Sequence, residues 1–269
     1  MRKIDIHCHT TLSALRETVP SSARIEEIEK NMKLHDIEAT VVLASYYPAH
    51  GKGISNFRLL HWIREKPRFL LFGSLDFQYF FPSGYKELVE LAEGRYLRGI
   101  KIYSGYQKID FCSEKVSKVL ELAEAHRLPV MFHGGFIQGK ETDLDFAFSP
   151  GHLSTLLDRF PEVSFVVSHL AWPHVDLLIE LVKKHPNLQA DMSGMLDSFK
   201  TPSTFSDCAA GIRKYLDACG PKRLLFGTDF PIQTHEHSVR LVEEAMTGFS
   251  DREKRSVYYE NAKSILGGC

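Results

Sequence analysis

Cysteine is scarce in this chain. Its 269 residues include only five, with no Cys-x-x-Cys pair among them: Cys8, Cys112, Cys208, Cys219 and Cys269. An odd number of scattered cysteines argues against a disulfide framework and suits free thiols in a reducing compartment. We therefore expect a cytoplasmic protein.

The chain also lacks an excess of charge of either sign. The 33 basic and 34 acidic residues leave a net charge of −1, and no long basic run occurs. The electrostatic footprint of a nucleic-acid-binding protein is missing, so a small-molecule substrate is the better prediction. No apolar stretch is long enough to span a membrane, and Met1-Arg2-Lys3 leads into an apparent strand without the apolar region of a signal peptide.

What recurs along the chain is a short run rich in β-branched or aromatic residues. Eight such runs are predicted strands: Lys3–His9, Ala39–Ala44, Phe69–Leu75, Arg98–Tyr103, Pro129–His133, Ser164–His169, Leu188–Ser193 and Arg223–Asp229. Each interval has room for a helix, and stripes such as Ile25, Ile28 and Met32 fit the helical period. No Gly-x-Gly-x-x-Gly follows a strand, which leaves a dinucleotide-binding fold without support. We predict a single-domain (β/α)8 TIM barrel over residues 1–269.

The first predicted strand ends in His7-Cys8-His9. Alternate residues of a strand face the same side, so the two imidazoles can converge on one point while Cys8 points away. This arrangement favours a metal held by nitrogen and oxygen over a Cys/His zinc site. By itself, the pair is weak evidence for a metal, and two polar histidines at the end of a barrel or on the surface would be the better interpretation.

Further ionisable residues end other predicted strands: Lys101 on the fourth, His133 on the fifth, His169 on the sixth and Asp229 on the eighth. Each alone has an ordinary structural explanation, such as a hydrogen-bonded core histidine, a helix cap or a lysine that reaches solvent. Together, at one level of one barrel, they would carry several burial penalties unless a single ion satisfies them. The pattern therefore indicates a metal site at the carboxyl ends of the strands.

The same segments resemble a known family. They are Ile4–His9, Leu97–Tyr103, Leu128–Gly135, Val166–Leu170, Pro186–Ser193, Leu224–Pro231 and Glu260–Lys263. In order and spacing they are similar to the metal-dependent amidohydrolases, in particular to the branch of aminocarboxymuconate semialdehyde decarboxylase and related lactonases. The resemblance covers nearly the whole chain.

This resemblance implies a metal held by His7, His9, His133 and Asp229. His169 would be a catalytic residue, or a ligand of a second metal bridged by a carboxylated Lys101. We expect one ion rather than two, because the nearest branch usually leaves the equivalent lysine unmodified. Zinc is favoured over manganese because imidazole dominates the ligand set.

The implied activity is hydrolysis of a small carboxylic acid derivative, lactone or amide by a metal-activated water. Asp229 would act as general base, and the metal or His169 would polarise the carbonyl. Non-oxidative decarboxylation on the same residues is the alternative. Tyr103, Trp172 and Lys101 are the predicted substrate contacts, whereas the apolar segment Phe77–Phe81 favours an oligomer contact such as a homodimer.

Three other classes share parts of this pattern. Phosphoesterases of the polymerase-and-histidinol-phosphatase type also open with Asp-x-His-x-His-Thr, but their final Asp-x-His pair is absent. TatD-like nucleases carry a glutamate where Lys101 stands. A catalytically silent barrel would have lost a ligand or the base, and every expected position is filled. His235-Glu236-His237 is predicted to open a helix, where residues two apart diverge and cannot chelate a metal together.

Overall fold

Eight parallel strands form one sheet in the computed structural model, which describes residues 1–10, 23–45, 54–107, 109–135, 150–196 and 204–267. They are β1 Lys3–Cys8, β2 Ile37–Leu43, β3 Phe69–Gly73, β4 Leu97–Ile102, β5 Val130–Phe132, β6 Phe165–Val167, β7 Leu188–Asp191 and β8 Leu224–Leu225. The strands lie side by side in chain order. Helices fill the intervals between them, as the sequence pattern predicts.

The helices in those ranges are α1 Ile25–Leu34, α2 Asn56–Ile63, α3 Phe81–Glu93, α4 Ser104–Gln107, α5 Glu114–Ala125, α6 Pro150–Arg159, α7 Val175–Lys184, α8 Phe205–Cys219, α9 His235–Ala245, α10 Asp251–Arg255 and α11 Asn261–Ile265. The apolar stripe of α1 is buried, as its period predicts. Within the same ranges, no helix combines the length and the apolar character that crossing a membrane requires.

The last strand closes the sheet against the first. Ile6 donates its backbone N–H to Phe226 at 3.0 Å, and Cys8 forms a parallel bridge with Phe230. The predicted (β/α)8 TIM barrel is therefore confirmed. The closing strand is short, since only two residues of β8 pair with β7 in a regular ladder.

The barrel interior is apolar at one end and polar at the other. A small cluster of strand residues fills it, including Ile4, Ile6, Leu70 and Phe72, and it continues into the C-terminal helical segment. In that segment, the Tyr259 hydroxyl donates to Glu38 near the start of β2, so the segment covers the end where the strands begin. Buried ionisable side chains gather at the opposite end, beyond the apolar layer.

Several strands end earlier than the sequence pattern predicts. The predicted strands run to His9, His133, His169 and Asp229, but the ladders stop one to four residues before these positions. His169 and Asp229 have φ angles of 61° and 58°, in the left-handed region. A strand cannot continue through that conformation, so the backbone turns where the candidate site begins.

A bulge in β1 directs the histidine pair into the barrel. Asp5 pairs with Thr40 and Cys8 with Val42, so β1 advances three residues while β2 advances two. Ile6 belongs to the interior cluster, whereas Cys8 belongs to the cluster between strands and helices. Strict alternation from Ile6 would instead have pointed Cys8 inward. The extra residue reverses the alternation and turns the histidines on either side of Cys8 toward the interior.

Candidate metal centre

Three side chains from the two strands that close the barrel converge on one point. His7 Nε2 and His9 Nε2 lie 3.3 Å and 3.1 Å from the same carboxylate oxygen, Asp229 Oδ1. One donor atom from each of these residues lies within 4.8 Å of the other two. The arrangement has the dimensions of a shared metal-binding site.

The backbone of the chain following β8 presents Asp229 to the histidines. The Asp229 N–H donates to the His7 carbonyl at 2.7 Å, which holds the residue in its left-handed conformation. Thr228 is tied to the buried Asp5 carboxylate by its N–H at 3.0 Å and its hydroxyl at 2.7 Å. Gly194 packs against Asp229, and a Cβ at Gly194 would lie 2.4 Å from Asp229 Oδ2.

A second buried carboxylate, on β7, supports the histidines from behind. Asp191 Oδ2 lies 2.9 Å from His7 Nδ1, and Asp191 Oδ1 accepts the backbone N–H groups of His169 and Ser193 at 3.0 Å each. Burial alone would raise the pKa of Asp191, but the neighbouring imidazoles of His7 and His169 reverse this and hold the pKa below its usual range. Asp191 is therefore a charged hydrogen-bond acceptor.

The donor atoms fit a divalent metal. Because His7 Nδ1 donates to Asp191, Nε2 of the neutral His7 ring carries a lone pair. This nitrogen is buried and has no hydrogen-bond partner, although Asp229 Oδ1 is 3.3 Å away. Burial alone would raise the pKa of Asp229, but His7 and His9 hold that pKa well below its usual value, so the oxygen is also an acceptor. Two facing acceptors need a proton or a metal cation between them, and nitrogen with carboxylate oxygen suits zinc.

His169 and His133 lie beside this group. The His169 ring centroid is 4.8 Å from that of His7 and 4.9 Å from that of His133. His169 Nδ1 donates to the Ser193 carbonyl at 2.9 Å, and burial lowers the pKa of His169 to about 4, so the ring is neutral. Among the described residues, His133 belongs to neither cluster of converging ligand atoms, which are His7, His9 and Asp229, and His7, His169 and Asp191. Its role as a ligand stays a prediction.

Lys101 is fully buried next to the histidines. Its Nζ donates to Ser168 Oγ at 2.5 Å and lies 5.6 Å from the centre of the Tyr103 ring. Burial lowers the pKa of Lys101 to about 8, although the charges of Asp191 and Asp229 oppose the shift. The site therefore holds an amine that can exist in either protonation state near neutral pH.

The predicted substrate contacts occupy different places. The Tyr103 ring is 6.5 Å from the His9 ring, and its hydroxyl donates to the Ala44 carbonyl, so its ring faces the histidines. The Trp172 ring instead lies over α8, where a Cβ at Gly211 would approach it to 2.4 Å. Of the apolar segment 77–81, Phe77 and Phe81 are buried, whereas Tyr79 and Phe80 are exposed.

The structure confirms one expectation about a histidine outside the metal ligands and adds one residue to the site. His235 opens α9 as predicted and belongs to neither cluster of converging ligand atoms among the described residues; its ring lies between those of His35 and Phe230. Ser193, by contrast, is a site residue that the sequence pattern did not single out. Its signal was the spacing Asp191-Met192-Ser193 at the end of a strand, which places two polar side chains on one face.

A parallel barrel with imidazoles and carboxylates gathered at the carboxyl ends of its strands defines a class of enzyme with a metal site. A family model described as Amidohydrolase matches residues 4–268. The chain belongs to the amidohydrolase family and is an enzyme. No curated protein matches it significantly.

Solved structures with the same barrel include enzymes of two reaction types. An amidohydrolase from Burkholderia multivorans with bound zinc has a TM-score of 0.76 at 15% identity, with 100% of both chains covered. A probable 2-pyrone-4,6-dicarboxylic acid hydrolase from Acinetobacter baumannii has a TM-score of 0.70 at 18% identity, covering 99% of this chain and 100% of that one. A 2,6-dihydroxybenzoate decarboxylase from Rhizobium has a TM-score of 0.72 at 15% identity, with 99% of both chains covered. At these identities the likeness shows the fold.

Proposed function

We propose that the chain is a metal-dependent hydrolase that uses one zinc ion to cleave a small carboxylic acid derivative, a lactone or an amide. The ion would be held by His7, His9, His133 and Asp229. The observation that carries the proposal is the contact of two buried acceptors, His7 Nε2 and Asp229 Oδ1, at 3.3 Å. The family match and the zinc in the Burkholderia structure support the choice of ion.

Lys101 supports one metal ion rather than two. A second ion in such sites would need a bridging group, and a carboxylated lysine would supply it. Lys101 is fully buried and its Nζ already contacts Ser168 Oγ at 2.5 Å, so a carboxyl group added to Nζ would have to displace that neighbour. We therefore assign Lys101 as an unmodified lysine whose charge binds a substrate carboxylate.

The residues divide the work of hydrolysis between proton transfer and orientation. When bound, the metal would supply the Lewis acidity that makes hydroxide available near neutral pH. Asp229 takes the proton of the attacking water and returns it to the leaving group. His169 donates through Nδ1 to Ser193, so its Nε2 is an acceptor. We assign that nitrogen to orient the water rather than to polarise the carbonyl.

Decarboxylation is the second candidate, and the aromatic wall of the site favours it. The Tyr106 ring is 5.0 Å from the His133 ring and 6.5 Å from the Tyr103 ring, which suits a flat aromatic acid. The similar structure from Rhizobium is named as a decarboxylase of such an acid, 2,6-dihydroxybenzoate. In this reaction the ionised Asp229 would first take a proton from water and then deliver it to carbon, while Lys101 holds the carboxylate that leaves as carbon dioxide.

A substrate panel separates the two reactions. Zinc-reconstituted protein would be incubated with lactones, amides and hydroxylated aromatic acids, with proton release, amine release and carbon dioxide release followed in parallel. We expect saturable, zinc-dependent proton release with a lactone or amine release with an amide, because the amine product takes up the proton of the new acid. Carbon dioxide release without hydrolysis would select the decarboxylase, and zinc binding without turnover of any compound would argue against both.

A further inference from the structure

Strand β7 supplies none of the proposed metal ligands, yet its carboxyl end is the most densely hydrogen-bonded part of the site. Asp191, with no solvent exposure, contacts groups from β1 and from the turn after β6. Its Oδ1 accepts three hydrogen bonds, from His169 N and Ser193 N at 3.0 Å and from Ser193 Oγ at 2.5 Å. This oxygen is fully used.

The positions of the hydrogens around His7 follow from these contacts. Asp191 Oδ2 lies 2.9 Å from His7 Nδ1, and Ser193 Oγ lies 3.0 Å from the same nitrogen. Ser193 has one hydroxyl hydrogen and gives it to Asp191, so toward His7 it can only accept. Both neighbours of His7 Nδ1 are acceptors. This nitrogen must therefore carry a hydrogen, and in the neutral ring that leaves Nε2 with a lone pair.

The structure assigns Asp191 as a positioning residue that fixes His7 in the Nδ1–H tautomer and so makes Nε2 the metal-binding atom. This inference rests on the proposed metal site and names the residue that prepares it. Asp191 also belongs to a cluster of converging ligand atoms with His7 and His169. Its oxygens are already engaged by four hydrogen bonds, which favours orientation over direct coordination.

The tautomer can be read in the metal-free protein. Long-range 1H–15N spectra of histidine-labelled protein distinguish the two ring nitrogens. They would be recorded at a pH high enough for the His7 ring to be neutral, because burial and Lys101 would lower the pKa of His7 but Asp191 and Asp229 raise it above its usual value. His7 can be assigned with a His7→Gln variant. We expect a hydrogen on Nδ1 of His7 in the wild type. A hydrogen on Nε2 would overturn the assignment, and this measurement needs neither substrate nor turnover.

Asp191→Asn makes a sharper test, because three donors fix the orientation of the new side chain. The amide oxygen must take the position of Oδ1, so the amide nitrogen faces His7 Nδ1 and donates to it. We expect the His7 hydrogen to move to Nε2 and the zinc Kd to rise about 10- to 100-fold, with one ion still bound at saturation. An unchanged tautomer with unchanged affinity would contradict the inference, and loss of the bound ion at saturating zinc would make Asp191 a ligand.

Ser193→Ala is the matched control. It removes a hydroxyl from the same cluster but leaves Asp191 Oδ2 facing His7 Nδ1, so the His7 tautomer should stay as in the wild type and the zinc Kd should change less than in Asp191→Asn. An equal loss of affinity in both variants would show general disruption of the cluster instead. If the wild-type protein had the expected His7 tautomer and zinc affinity but no turnover, the proposed function would be rejected and the role of Asp191 would stand.

Discussion

Asp229 occupies a position in which one carboxylate must satisfy several neighbours. Its Oδ1 faces the Nε2 atoms of His7 and His9, and its Oδ2 lies against Gly194. A neutral amide of the same shape would fill this space but would neither neutralise a cation nor accept a proton. An asparagine at this position would therefore keep the packing of the site and remove its chemistry.

Asp229→Asn should abolish turnover while the chain remains folded. General acid–base residues typically contribute 100- to 10,000-fold, so kcat should fall at least about 100-fold. Steady-state kinetics and circular dichroism measure the two effects. Asp217→Asn, which changes an exposed carboxylate paired with Arg213 on α8, should leave kcat unchanged. An active Asp229→Asn variant would remove this residue as the base.

His235 should make stability depend on pH. Burial, with a smaller contribution from the charge of His35, lowers its pKa from 6.5 to about 3. Below pH 6.5 the unfolded chain therefore takes up a proton that the folded chain refuses, and stability is lost as the pH falls toward 3. Between pH 7 and pH 5 this amounts to about 2 kcal/mol. Urea unfolding should show a loss that is about 2 kcal/mol smaller in His235→Phe than in the wild type, because the buried His169, with a pKa of about 4, loses stability in both proteins. Equal losses would contradict it.

At the scale of elements, the bulge in β1 shows which features of the fold could be predicted from the sequence and which could not. The alternation of His7 and His9 predicted correctly that both imidazoles share a face. It could not predict that Ile6 faces the same interior, because that requires an extra residue visible only in the register against β2. The order and parallel pairing of the strands followed from their spacing. The left-handed backbone at Asp229 did not, because it depends on contacts with the distant His7.

Trp172 shows the same limit for a loop. Its place after β6 predicts a substrate contact, which stays a prediction, and its ring packs against Gly211 of α8. An aromatic side chain packs where a neighbouring element leaves room for its ring. Here Gly211, which has no side chain, leaves that room on α8. A sequence pattern cannot identify such a pairing across about 40 residues.

The turn after β7 offers a test at this scale. Gly194 and Gly220 both have positive φ angles, 58° and 75°, so alanine strains either backbone by about 1–3 kcal/mol. Only at Gly194 would the new Cβ meet Asp229; at Gly220 nothing lies within 4 Å. We expect Gly194→Ala to weaken zinc binding and stability together, and Gly220→Ala to lower stability alone. Zinc titration and urea unfolding measure both, and equal zinc affinities would contradict this account.

At the scale of the whole molecule, the proposed metal would tie the first strand to the last. His7 and His9 belong to β1 and the residue after it, and Asp229 follows β8. This seam is where the ladder is shortest, held by contacts such as Ile6 N to Phe226 O and His9 N to Phe230 O. A ligand set that spans the seam should stabilise closure of the barrel as well as supply chemistry.

Removing the metal should therefore lower stability and loosen that seam. A ligand at 100 times its Kd contributes about 2.7 kcal/mol, which for a chain of this size corresponds to a fall in Tm of about 5–10 °C after chelation. Hydrogen exchange should speed up at His9 and Asp229, whereas amides between β3 and β4 serve as an internal control. Added zinc should restore Tm, exchange protection and turnover, with one equivalent bound per chain. A chelated, metal-free chain that keeps its Tm and its activity would reject both the closure role and the metal-dependent reaction.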